Sequence, residues 1–385
     1  MRKNEFIKGF LLLITLLNLT SCQFSNLSQR NNQPLKVNAG TSTEETEVSL
    51  KWFTDSPLKP TDTVSAFEAK AFVLNVYQTI DDNIFDPAFK QAERNQQQQD
   101  LLVAIATQPN WSRAELIERI SNELNRLSVS HLRILDPVEG ETLFRIFEQK
   151  PLPDTTPTPA VSAEMRGKVG ILRVKSFIVP LITRAELDRD KAQLAEAQVI
   201  LIDVRRNGGG SGSSVSYLVE DIIGPNKVLS RDRTREGLQT REPYVFRGYF
   251  DDAINAEGKA EIELSENYSY IEWRTWLEAQ VDLRPHFVLV DDQCGSACDL
   301  FAAVIKEYGS AKILGVRTMG ALLAGDAFRL EWQGFAVIVP TAQVVLPNGD
   351  MVEGIGVQPD IEIPECANGG NQCLEKAIAI ADAAT

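Results

Sequence analysis

Histidine is nearly missing from this chain of 385 residues: there are two, His131 and His286. An imidazole base must be one of that pair. Cationic residues are also in deficit, 39 Lys and Arg against 53 Asp and Glu, for a formal charge of −14. Such an acidic chain has no electrostatic footprint for nucleic acid and is repelled by anionic lipid. The leading apolar run, Phe10 to Leu19, falls short of the ~20 residues that a transmembrane helix needs. No Gly-Lys-Ser/Thr follows the triple glycine at Gly208-Gly209-Gly210, which removes a phosphate loop. Cysteine is scarce, with five residues.

The start of the chain has the marks of export. Arg2, Lys3 and Lys8 precede the apolar run, the pattern of a signal peptide over residues 1–22. Leu19-Thr20-Ser21-Cys22 resembles the bacterial lipobox, which implies lipidation at Cys22; an ordinary signal peptide with a coincidental Cys22 is the alternative. Gln23 after the cysteine resembles outer-membrane rather than inner-membrane sorting. The expected location is the cell envelope on the periplasmic side, with membrane contact through the anchor alone. Residues 23–60 are polar and read as a tether. In an oxidising compartment the other four cysteines can bridge. Cys366 and Cys373 bracket a short Asn-Gly-Gly-Asn loop and are expected to pair. Cys294 and Cys298 bracket Ser296, where a bridge must fit the local turn. Their spacing matches tight zinc knuckles poorly.

Helical periodicity begins near Asp62, with Phe67, Phe72, Val73, Val76 and Ile80 on one face. The Gln-rich stretch 91–99 reads as a solvated loop or helix end. Ser112 and Glu115 form a capping box for a helix whose inner face is Leu116, Ile117, Ile120, Leu124 and Leu127. Residues 61–135 are thus expected as a small helical domain, 136–166 as a linker, and 167–385 as an α/β domain. Its strand-like runs are Val169–Phe177, Val199–Val204, Phe287–Val290, Lys312–Val316 and Phe335–Val345. Composition does not decide whether 211–285 is a cap over the site or surface elaboration.

Ser296, in Cys294-Gly295-Ser296-Ala297-Cys298, lies on a small-residue turn between a buried strand and a helix. A hydroxyl placed there meets the unpaired N–H groups and positive end of a helix. The buried strand 199–204 runs into Arg205-Arg206-Asn207-Gly208-Gly209-Gly210, whose bare backbone suits a developing oxyanion. His286 stands at the mouth of the strand leading to Ser296, where a structural role fits. His131, in Ser130-His131, lies at the seam between the two domains. Glu353 precedes Gly354-Ile355-Gly356-Val357 and could orient an imidazole.

Four segments occur in order: Asp203-Val204-Arg205-Arg206-Asn207-Gly208-Gly209-Gly210, Gly295-Ser296-Ala297-Cys298, the run 312–318, and the run 353–361. Together they resemble the tail-specific, or C-terminal processing, serine peptidases. In that family's Ser–Lys branch a Lys follows the nucleophile by 25 residues, and here that position is Ala321. The tricorn-like branch instead uses a Ser-His pair ahead of the α/β domain and a Glu before Gly-Val-x-Pro-Asp, and both are present.

The resemblance implies an α/β core of ββα repeats, similar to crotonase and Clp protease, preceded by a helical bundle. It implies Ser296 as nucleophile, His131 as general base, and Glu353 and Ser130 orienting the imidazole. The N–H groups of Ala297 and of Gly208 or Gly209 would bind the oxyanion. The substrate would be a protein or peptide, with no cofactor, metal or nucleotide. The interval 133–166 is too short for the PDZ module many relatives carry there, so capture by such a groove is not expected. A non-catalytic binding protein on the same fold, or an esterase using the same triad, are the alternatives. The oligomeric state is not readable from sequence.

Overall fold

A computed structural model describes residues 62–147, 160–178, 181–235, 242–248, 260–263, 268–331, 334–369 and 371–385. These fall into two compact units: 62–147 with 325–341, and 160–324 with 342–385.

In the helical unit, β1 (Thr63–Ser65) leads into α1 (Ala66–Asn83), followed by α2 (Gln91–Ile105) and β2 (Asn110–Ser112), which pairs antiparallel with β1. Then come α3 (Arg113–Arg126), β3 (Arg133–Leu135) and α4 (Pro137–Phe147). The capping box at Ser112 and Glu115 starts α3 as expected, and the same spacing at Ser65 and Glu68 starts α1. Each such cap is worth roughly 1 kcal/mol. The apolar stripes meet inside, burying Phe72, Val76, Ile80, Leu116, Ile120 and Leu124.

One expectation is resolved here and another changes. Of the two readings of the Gln-rich stretch 91–99, loop or helix end, the structure has the helix: the stretch is the first part of α2, which runs on to Ile105. Gln is a good helix former, and α2 is tied down by buried Leu101, Ile105 and Arg94. The Arg94 guanidinium lies 2.9 Å from Asp81 and donates to the Pro87 carbonyl. The expected linker 136–166 opens with α4 and closes with a strand. The later segment 325–341 also joins this unit: Phe335 packs against Phe72, ring centroids 5.8 Å apart, beneath the Arg113 guanidinium.

The second unit is mixed α/β. Its first part runs β4 (Val161–Arg166), β5 (Val169–Val174), α5 (Arg184–Ala192), β6 (Val199–Asp203), α6 (Gly212–Ile223) and β7 (Val228–Thr234). Next are β8 (Glu242–Gly248), β9 (Ala260–Glu263), β10 (Tyr268–Arg274), β11 (His286–Val290), α7 (Ala297–Tyr308) and β12 (Lys312–Gly315). It ends with β13 (Leu323–Arg329), β14 (Ala336–Val345), β15 (Ile361–Glu362) and α8 (Asn371–Asp382), residues 325–341 of β13 and β14 belonging to the helical unit.

The main sheet has the order β15-β12-β11-β6-β5-β4, parallel except for β4. Register is set by pairs such as Val288 with Ile202 and Ile313. Both faces are buried, which is why β6 and β11 read as unbroken apolar runs. Leu172, Ile202, Val288 and Ile313 meet the helices α5, α6 and α7 on one face; Ile171, Leu201, Leu289 and Leu314 face Ala377 and Ala381 of α8 on the other. Burying side chains of this size stabilises the fold by ~1.5–3 kcal/mol each. In the region 211–285, β7 pairs with β10 and with residues 342–345 of β14, and β10 with β8.

Candidate active site

The turn between β11 and α7 holds Ser296 at φ 58° and ψ −123°. A non-glycine residue held in such a backbone costs roughly 1–3 kcal/mol and persists only where its surroundings over-determine it. Here they do. The Ser296 N–H donates to Asp299 Oδ2 at 3.1 Å, and the same oxygen accepts from Ala321 N–H at 2.8 Å. Asp299 Oδ1 accepts from Gly320 N–H at 3.0 Å and from the Thr318 hydroxyl at 2.5 Å. Asp299 is fully buried, and that burial pushes its pKa above the ordinary carboxyl value despite the four donors.

The glycine loop is built against this turn. A Cβ on Gly209, whose φ is +102°, would stand 2.5 Å from Ser296 Cβ, so only glycine fits. At Gly210 a Cβ would meet the Phe177 backbone at 2.1 Å. Phe177 donates its N–H to Gly209 and accepts from Ser211 N–H, clamping the loop. Asp291 Oδ1 accepts from both Arg206 N–H at 3.0 Å and Gln293 N–H at 3.1 Å, joining loop and turn through one buried carboxylate. Gly295 N–H adds a 3.1 Å bond to the Asn207 carbonyl. Below, Asp203 accepts from Arg205 and Arg173.

These bonds sort the expected oxyanion donors. Gly209 N–H donates to Asn207 Oδ1 at 2.9 Å, and Ser296 N–H to Asp299. Ala297 stands at the first position of α7, where an N–H has no acceptor within the helix. Gly208 is exposed and would meet nothing within 4 Å if given a Cβ.

Glu353 is half-buried, and its Oε2 accepts from Leu322 N–H at 2.8 Å. Its loop is laced to the 318–322 turn: Gly354 N–H donates to Gly320 O at 2.7 Å, and Thr318 exchanges bonds with Val357. Ala321, where the Ser–Lys branch has its lysine, lies in that turn. Ser296, Ala297, Gly208, Gly209 and Glu353 all belong to the α/β unit; Ser130 and His131 belong to the helical unit. There the Ser130 hydroxyl is 3.1 Å from His131 Nδ1. His131 has φ 54°, and a Cβ on Gly325 would lie 2.6 Å from its own Cβ.

His286 is elsewhere. It is buried at the start of β11, the opposite end of the strand from the Ser296 turn, with Nδ1 bonded to Arg284 O at 2.7 Å and burial lowering its pKa. A cavity of about 180 Å³ beside it is lined by Leu172, Ile202, Lys191 and Asp282. The Cys294 and Cys298 sulfurs are 2.06 Å apart and those of Cys366 and Cys373 2.02 Å, both at disulfide distance. Cys22, the signal and the tether lie outside the described residues. Among the described residues no cluster of three metal-ligating side chains occurs, and no helix is long and apolar enough to cross a membrane.

Sequence reasoning missed Asp299, Thr318, Asn207 and Asp291. A signal existed for Asp299, which follows Ser296 at the spacing of a capping box.

A strained serine at a strand-to-helix turn, beside a glycine loop, sets a hydroxyl next to the N–H groups at the start of a helix. Residues 168–363 match Peptidase family S41, and the chain belongs to that family. A protein of Staphylococcus epidermidis named a CtpA-like serine protease is 22% identical over 210 residues, 54% of this chain; the match spans 36% of that relative's length. The fold is similar to that of a candidate peptidase from Parabacteroides merdae, with a TM-score of 0.56, 16% identity, and coverage of 83% of this chain and 97% of that one. It is also similar to the tricorn protease, with a TM-score of 0.52, 14% identity, and coverage of 82% and 36%.

Proposed function

We propose that this chain is a cell-envelope serine endopeptidase that cleaves protein or peptide substrates through an acyl-enzyme on Ser296. The observation that carries the reading is the over-determined backbone of Ser296, with the Ala297 N–H next to it at the start of α7 and the glycine loop packed against it through Gly209. The Ala297 and Gly208 N–H groups are the donors the reading gives to a tetrahedral oxyanion. A serine needs a base. Ala321 stands where the Ser–Lys branch has its lysine, and the likeness of Ser130-His131 to the Ser-His pair of the tricorn-like branch supports His131 in the role. For its Nε2 to accept the Ser296 proton, Nδ1 must carry hydrogen, which the adjacent Ser130 hydroxyl or Glu353 would accept. The proton then passes to the leaving amine, and water repeats the cycle to release the acyl group.

The first test is a fluorophosphonate label on the purified soluble part, mapped by mass spectrometry. Label on Ser296 together with peptide hydrolysis supports the reading. No label would make the chain a binding protein, and label with ester but no peptide hydrolysis would make it an esterase. The anchor is tested separately: Cys22→Ala should move the protein to the soluble envelope fraction, and retention after a high-salt wash would refute lipidation there.

A further inference from the structure

We propose that Asp299 is a positioning residue that sets Ser296 and the Glu353 loop in one fixed arrangement, a role that rests on the peptidase reading above. Its carboxylate touches no reacting atom. It takes two donors on each oxygen: Ser296 and Ala321 N–H on Oδ2, Gly320 N–H and Thr318 Oγ1 on Oδ1. One of these donors belongs to the strained serine's own turn, and three lie in the 318–321 turn. That turn passes the constraint on. Thr318 Oγ1 accepts from Val357 N–H at 2.7 Å, Gly320 O accepts from Gly354 N–H, and Leu322 N–H holds Glu353 Oε2. A carboxylate is needed because every group facing it is a donor. An amide in its place would aim its own N–H groups at two of them, and an unmatched pair of buried donors is costly.

The turn with which Asp299 engages Ser296 is the one whose lysine is replaced by Ala321. In this chain that turn keeps its contact with the nucleophile through Asp299 and a backbone N–H, with no side chain of its own required at position 321. The function left to the turn is therefore geometric.

The experiment compares Asp299→Asn, Asp299→Ala, Thr318→Val and Thr318→Ser for kcat, KM, rate of fluorophosphonate labelling and thermal midpoint. Misplacement on the order of 1 Å costs about 10²-fold in rate. Asp299→Asn is expected to lose that much or more in kcat and in labelling, nearly as much as Asp299→Ala, with KM within about threefold because ground-state binding is untouched. Thr318→Val should lose about tenfold, and Thr318→Ser, which restores the hydroxyl, should recover most of it. A folded Asp299→Asn variant that labels at the wild-type rate overturns the proposal. Should that variant fail to fold, equal activity in Thr318→Val and Thr318→Ser overturns it instead. If wild-type Ser296 itself takes no label, the peptidase reading falls first and Asp299 loses the role with it.

Discussion

Ser296 and His131 share an unusual backbone, φ 58° and φ 54°, yet they are held in different ways. Ser296 is caught in a mesh: Asp299 takes its N–H, Asp291 ties its turn to the glycine loop, and Gly209 leaves room for its Cβ. His131 has its ring beside the Ser130 hydroxyl and its Cβ against Gly325. The contrast suits the two roles proposed for them. A nucleophile must approach a carbonyl along one line, whereas a base needs only hydrogen-bond reach to its proton. Tolerance to substitution should therefore differ between the two regions.

The largest expected effect tests whether they act together at all. Ser296→Ala and His131→Ala should each lower kcat by several orders of magnitude, and the double variant should be scarcely worse than either. Near-normal turnover in His131→Ala would dismantle the pairing and leave only the fold.

The glycines sharpen the comparison. Gly209→Ala drives a methyl to within 2.5 Å of Ser296 Cβ in a region with no slack; a loss of about 10²-fold or more in kcat is expected. Gly325→Ala crowds His131 by a similar amount, but a base that shifts while keeping hydrogen-bond reach loses less than a misaimed nucleophile, and the loss should be nearer tenfold. Equal losses measured side by side would show that both residues are held with the same stiffness.

The smallest effect lies away from both. Burial pushes the Asp232 carboxyl, bonded to the Ser230 hydroxyl, up to about 7. The folded state then holds this proton more tightly than the unfolded state, so stability falls as pH rises between ~4 and ~7. Asp232→Asn should melt close to wild type at pH 4 and above it at pH 8, by a few degrees. An unchanged difference across that range would contradict the titration.

The strands and the glycine motif were legible because buried parallel strands write themselves as apolar runs and because three adjacent glycines have few other uses. Ser112 with Glu115 was legible because a capping box is a local pattern. Asp291, and the hold of Asp299 on anything beyond Ser296, were not legible, since their donors include Arg206 and Thr318, 85 and 19 residues away. A carboxylate that waits for a distant backbone N–H looks like any acid on a helix or loop. Helix α2 was only half legible, as a loop or a helix end, for the opposite reason: a run of glutamines has propensity but no apolar stripe until Leu101 and Ile105. The segment 325–341, which returns to complete the helical unit around Phe335, leaves no local trace because membership of a core is decided by contact.

The cysteine pair that straddles Ser296 is separated by only four positions in the sequence, and the Cys366–Cys373 pair by seven. Closing such small loops removes little freedom from the unfolded chain, about 2 kcal/mol each in the loop-entropy account, against nearly 5 for a loop of 100 residues. Bonded, both pairs would therefore be weak staples for the protein as a whole. What a bond between Cys294 and Cys298 would restrict is the handful of dihedrals around Ser296 itself, so with Ser296 as the proposed nucleophile its reduction would be felt in the rate long before it was felt in the melting curve.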